Sequence, residues 1–109
     1  MKIAVPSQGE IVAQHFGHCS HFAIFDVEGN EIKNKDVIAN PGHQPGFLPK
    51  FLNKQGAEIV LAGGIGSRAV KLFEENGIKV VSGCKGQVDD AVKLYLNDEL
   101  ETEDNTCDH

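Results

Sequence analysis

From Glu58 onward the chain passes twice through one local order: a short apolar run, a glycine turn, then a segment with helical spacing. Glu58–Ala62 is broken by Gly63-Gly64-Ile65-Gly66. Ser67–Asn76 then sets Ala69, Val70, Leu72 and Phe73 at helical intervals, with Gly77 as the stop. Ile78–Ser82 is the second apolar run, Gly83-Cys84-Lys85-Gly86 turns the chain, and Val88–Leu96 carries Val88, Ala91, Val92, Tyr95 and Leu96 along one side. Apolar runs this short, bounded by turns, suit buried strands. Strand–helix–strand connections within one sheet are right-handed in nearly all proteins. The second half is therefore expected to form parallel strands crossed by helices, which excludes an all-α or all-β chain.

The first half supplies a hairpin. Lys2–Val5 is a short strand expected to stop at Pro6, and residues 6–20 form a loop with Gly9 and Gly17. His21–Glu28 and Glu31–Ala39 are two β-like runs joined by Gly29-Asn30, a hairpin signature. After the breaker cluster Asn40–Gly46, the residues Phe47, Leu48, Phe51 and Leu52 recur at helical spacing up to about Gly56, with Pro49 confined to the first turn. The expected architecture is α/β, with helices on both faces of a mixed five-stranded sheet. In chain order the strands lie 3-2-1-4-5 and strand two is antiparallel. Residues 1–97 form one domain, and residues 98–109, with Leu100 the one bulky apolar side chain, are expected to be a disordered tail.

Charge separates the same two parts. Ten Lys and Arg stand against sixteen Asp and Glu, a net charge of −6. Asp98, Glu99, Glu101, Glu103, Asp104 and Asp108 account for the imbalance, so residues 1–97 are neutral. A neutral body with an acidic tail lacks the basic face that phosphate binding requires, so no nucleic-acid partner is expected. No apolar run approaches the roughly 20 residues that span a bilayer, and MKIAVPSQGE is a poor signal peptide. The reading is cytoplasmic, without a membrane partner, and monomeric or weakly homo-oligomeric. The odd count of three cysteines favours reduced thiols over a disulfide framework.

Ligands of open α/β sheets bind at the carboxyl ends of strands, where the strand order reverses. The loops expected there are 6–20, 40–46, 63–66 and 83–86. They hold His15, His18, Cys19, His43, Gly63, Gly64, Gly66 and Cys84, and His21 opens strand two at the same edge. Cys107 and His109 lie on the tail, whose twelve residues reach roughly 40 Å at ~3.3–3.6 Å each, far enough to fold back. Imidazole and thiolate suit zinc, copper, iron or iron–sulfur species rather than magnesium or calcium. The candidate metal ligands are therefore His15, His18, Cys19, His21, His43, Cys84, Cys107 and His109. The cluster His15–His21 lacks the two spaced pairs of a closed zinc site, which fits a labile or pre-assembled metal species better.

Two other chemistries are weighed. Gly64-x-Gly66-x-x-Ala69 has the form of a dinucleotide fingerprint, but no acid follows at the ribose-binding distance. A more general anion site at the helix start remains open, as does a turn made of glycine for packing alone. Enzymatic constellations are thin: there is no G-x-S-x-G, no P-loop, and no carboxylate cluster on strands one and four for a nuclease. No catalytic residue is assigned.

The opening MKIAVPS, the segment His15-Phe16-Gly17-His18-Cys19 with Phe22, and AGGIGSRAVKLFEENGIKVV together resemble the dinitrogenase iron–molybdenum cofactor biosynthesis family. This is the group of small domains related to NifX, NafY and the NifB C-terminal region. The resemblance covers about residues 1–97. It implies a ribonuclease H-like three-layer fold without nuclease activity. It also implies a non-enzymatic binding or carrier role for a metal–sulfur cofactor or its precursor, with a donor or acceptor protein as partner. His15 matches the family's HFG position, and Gly63, Gly64 and Gly66 would line the same pocket. The alternatives are a mononuclear zinc or iron protein of regulatory or structural role, and an anion- or nucleotide-binding regulatory domain.

Overall fold

The computed structural model describes residues 1–42 and 47–100 of the 109. The elements are β1 (Lys2–Gln8), β2 (Ile11–Val12), β3 (His21–Glu28), β4 (Glu31–Ala39), α1 (Phe47–Lys54), β5 (Ala57–Leu61), α2 (Ser67–Glu75), β6 (Lys79–Val81) and α3 (Val88–Leu96), with one 3-10 turn at Phe16–His18. The long strands lie in the order β4-β3-β1-β5-β6, and β2 pairs with β1. β1, β5 and β6 run parallel, while β3 is antiparallel to both β1 and β4.

Side-chain alternation builds a core on each face of this sheet. Ala4, Phe22, Ile24 and Val60 point to one face, where Leu48 and Leu52 of α1 and Phe73 of α2 cover them. Ile3, Val5, Phe25, Ile59 and Leu61 point to the other, under Val88, Ala91 and Val92 of α3. Helices therefore pack on both faces. None of the described helices is long and apolar enough to cross a membrane.

The sheet has six strands rather than five, and the difference lies at β1. This strand continues through Pro6 to Gln8 instead of stopping at the proline. Its pairing with β5 ends at Ala4, so no ladder donor is required of Pro6 on that side, and its carbonyl accepts the Ala13 N–H at 2.9 Å. The extra length lets the chain turn at Gly9 (φ +64°) and lay β2 back along Ser7 and Gln8.

Helix ends follow main-chain rules. After α2, Gly77 (φ +75°) donates to the Glu74 carbonyl and Ile78 to the Phe73 carbonyl, both at 3.0 Å, a Schellman closure with Phe73 and Ile78 both in the core. The end of α3 repeats it: Asp98 donates to Tyr95 at 3.1 Å and Glu99 to Leu94 at 2.8 Å. Here a non-glycine residue, Asp98, takes the left-handed conformation (φ +58°). Leu100 is partly buried against the α3-side core.

Candidate functional site

The loop that follows β2, beside the carboxyl end of β1, joins side by side through its backbone with the loops that leave the carboxyl ends of β5 and β6. Gly64 N–H donates to Gln14 O and Phe16 N–H to Gly64 O, both at 2.7 Å. On the other flank, Gly83 N–H donates to Gly63 O at 3.0 Å and Cys84 N–H to Ala62 O at 2.9 Å. Residues 62–64 are thus the middle rung of a short ladder, between the His15 loop and the Cys84 loop. His15 and Gly64 form a parallel β-bridge within it. A Cβ added at Gly63 would stand 2.3 Å from the Ala13 carbonyl oxygen, so only glycine allows this approach.

His15 leads into the 3-10 turn, closed by His18 N–H on His15 O at 3.0 Å and Cys19 N–H on Phe16 O at 3.3 Å. Phe16 fixes this turn to the body: its ring meets Phe73 edge-on at 5.4 Å and Phe22 at 6.3 Å. With the phenyl ring turned inward, His15 and His18 are left exposed, their rings 6.1 Å apart at 74°. The Gln8 side-chain amide holds the His18 carbonyl at 3.0 Å.

Among the described residues, two clefts open on this rim, one on each side of the His15–Gly64 bridge. The first, about 350 Å³, lies towards α3 and is walled by Val12, Gln14, His15, Cys84 and Lys85 over Gly63 and Gly64. The second, about 440 Å³, lies towards α2 between the turn His15–His18 and Gly64–Gly66. No carboxylate is among the described lining residues of either, and Lys85 brings a cation to the first. This donor set of imidazole, amide and ammonium suits an anionic or soft species and not a hard cation such as magnesium.

The other candidates lie as follows. Cys19 is 4% exposed in the α1/α2-side core, where Asn40 Nδ2 donates to its sulfur at 3.4 Å and to its carbonyl at 2.9 Å. Cys84 is equally buried, but in the α3-side core, with its thiol donating to Val81 O at 3.5 Å. Burial pushes both thiols up to about 11. The sheet thus separates these two cysteines. His21 is exposed at the start of β3, with Nδ1 3.0 Å from Ser20 Oγ. Gly66 precedes α2 with an ordinary extended backbone. His43, Cys107 and His109 lie outside the described residues. Among the described residues, no group of three or more His, Cys, Asp and Glu side chains is placed to hold a metal ion. Sequence reasoning missed Gln14 and Lys85. Their signal was position alone, each being next to a soft donor in a loop already assigned to this edge.

Comparison with known proteins places the chain among relatives of the same size. It is 33% identical over 106 residues to the uncharacterized protein MJ0580 of Methanocaldococcus jannaschii, covering 93% of this chain and 90% of that one. The crystal structure of PH0822 is 36% identical and covers 96% of both chains with a TM-score of 0.90. The apo form of the orange protein from Desulfovibrio gigas shares the fold, with a TM-score of 0.75 at 24% identity over 95% of this chain and 93% of that one. The family described as dinitrogenase iron-molybdenum cofactor matches residues 1–98, and by that match, spanning both halves of the sheet and the whole rim, the chain belongs to this family.

Proposed function

We propose that the protein is a non-enzymatic binder and carrier of a metal–sulfur cofactor of the iron–molybdenum type, or of its precursor, with His15 as its first ligand. The observation that carries this reading is an exposed imidazole held by a main-chain ladder between two open clefts, without a closed ligand set among the described residues. A resident metal calls for three or four protein ligands. A cargo that must be handed on is better served by few. His18, on the same turn, is the second donor in reach of the α2-side cleft. Lys85 and the backbone at Gly63–Gly64 complement the negative charge of a sulfide-bridged cluster. Cys19 is a poorer candidate, because it packs in the α1/α2-side core and lines neither cleft. Family membership supports cofactor handling as the setting, and a donor or acceptor protein is the partner such a carrier requires. A ribonuclease H-like assignment of the fold belongs to the same reading. It draws on the strand order and the two helical layers.

The test is anaerobic reconstitution with iron, sulfide and molybdate, followed by absorption spectroscopy and metal analysis. Wild-type protein is expected to take up iron and sulfide with charge-transfer absorption, and His15→Ala to lose at least nine-tenths of it. Uptake by His15→Ala equal to wild type overturns the site. One equivalent of zinc without sulfide overturns the cargo.

A further inference from the structure

We propose that the α3-side cleft is a two-point site, in which His15 and Cys84 hold a thiophilic metal of the cargo from opposite walls across the Gly63–Gly64 floor. The inference rests on the reading of His15 as a cargo ligand and adds to it a cleft and a second donor. The ladder carries the argument. His15 bridges Gly64 on one flank, and Cys84 bonds to Ala62 on the other. Their backbones therefore stand about two strand spacings apart, roughly 10 Å. Between them runs a strip with no side chains, and both residues line the same cleft of about 350 Å³. Two residues that carry soft donors, His15 and Cys84, line one space over bare backbone and come from two separate loops. Cys19 supplies the contrast: it is buried to the same degree, yet it lines neither cleft and sits beneath the other face of the sheet. Among its described lining residues, the α2-side cleft offers His18 but no sulfur.

On capture, the Cys84 S–H bond is exchanged for a sulfur–metal bond and the proton passes to solvent, so neither oxidant nor reductant is needed. The 3.5 Å bond from the thiol to Val81 O is a weak one to give up.

Cadmium(II) is the probe, because it binds nitrogen and sulfur without redox chemistry. Titration of the full chain is expected to give a thiolate-to-cadmium absorption that survives in Cys19→Ser and Cys107→Ser. In Cys84→Ser the absorption disappears, and in His15→Ala cadmium affinity falls at least tenfold. Retention of the absorption by Cys84→Ser, or its loss in Cys107→Ser, overturns the inference. A second measurement needs no variant. Cadmium-113 NMR of wild-type protein with nitrogen-15-labelled histidine is expected to show coupling to one imidazole, and absence of coupling overturns the pairing. Cluster uptake that depends on His15 but not on Cys84 overturns this inference alone. Cluster uptake that is indifferent to His15 overturns the carrier reading beneath it.

Discussion

Gly63 is the residue on which the rim geometry turns. Its Cα lies so near the Ala13 carbonyl that a methyl group there must push one loop off the ladder. Gly63→Ala is expected to cost about 2 kcal/mol or more, in the range of an overpacked core site. At ~4–8 °C per kcal/mol for a small domain, a melting experiment resolves that loss. Gly17→Ala is the control: a Cβ there meets nothing within 4 Å, and stability is expected to stay within about 0.5 kcal/mol. From sequence, the glycine run was legible as a turn at the binding edge. Which of its members was sterically compelled was not, because the clash comes from Ala13, fifty residues away in the chain. Cys19 illustrates the converse. Its neighbours His18 and His21 are exposed and suggest a ligand, while the 3-10 turn rotates Cys19 itself into the core.

Among the elements, the helices were legible to within a residue or two because each ends on a local signal. Gly77 closes α2, and the apolar stripes of α2 and α3 fix the faces they bury. The end of α3 uses the same closure with Asp98 in place of glycine, at φ +58°. Replacing it removes the steric cost of a Cβ in the left-handed region. Asp98→Gly is therefore expected to stabilise the protein by up to about 1 kcal/mol, measured as a shift in urea midpoint at constant m-value. β1 was underestimated for a different reason. A proline ordinarily ends a strand, and the feature that lets β1 continue, the early end of its pairing with β5, is a property of two strands together. β2, two residues long, leaves no periodic trace in the sequence.

For the molecule as a whole, both cores hold a buried thiol, and this makes stability depend on pH. An unfolded thiol titrates near about 8.5. Cys19 and Cys84 titrate near about 11 in the native protein because burial disfavours the thiolate. The native state therefore keeps protons that the unfolded state gives up, so stability falls as pH rises from about 9 to 11. A Cys19→Ala, Cys84→Ala double variant is expected to show a shallower decline over that window in urea unfolding followed by circular dichroism; an identical slope would refute the linkage. The alternation of hairpin and helical runs made the layered sheet legible, since helices on both faces cover the apolar residues of its two sides. The clefts were less so, because their walls come from loops distant in sequence and joined through peptide groups. That mode of joining has a consequence for how such a protein can diversify. Peptide groups are common to nearly all residues, so the exposed positions Gln14, His15, His18 and Lys85 can exchange their side chains while the rim, pinned by Phe16 and Gly63, keeps its shape. One scaffold can in this way present histidine in one descendant and a different chemistry in another.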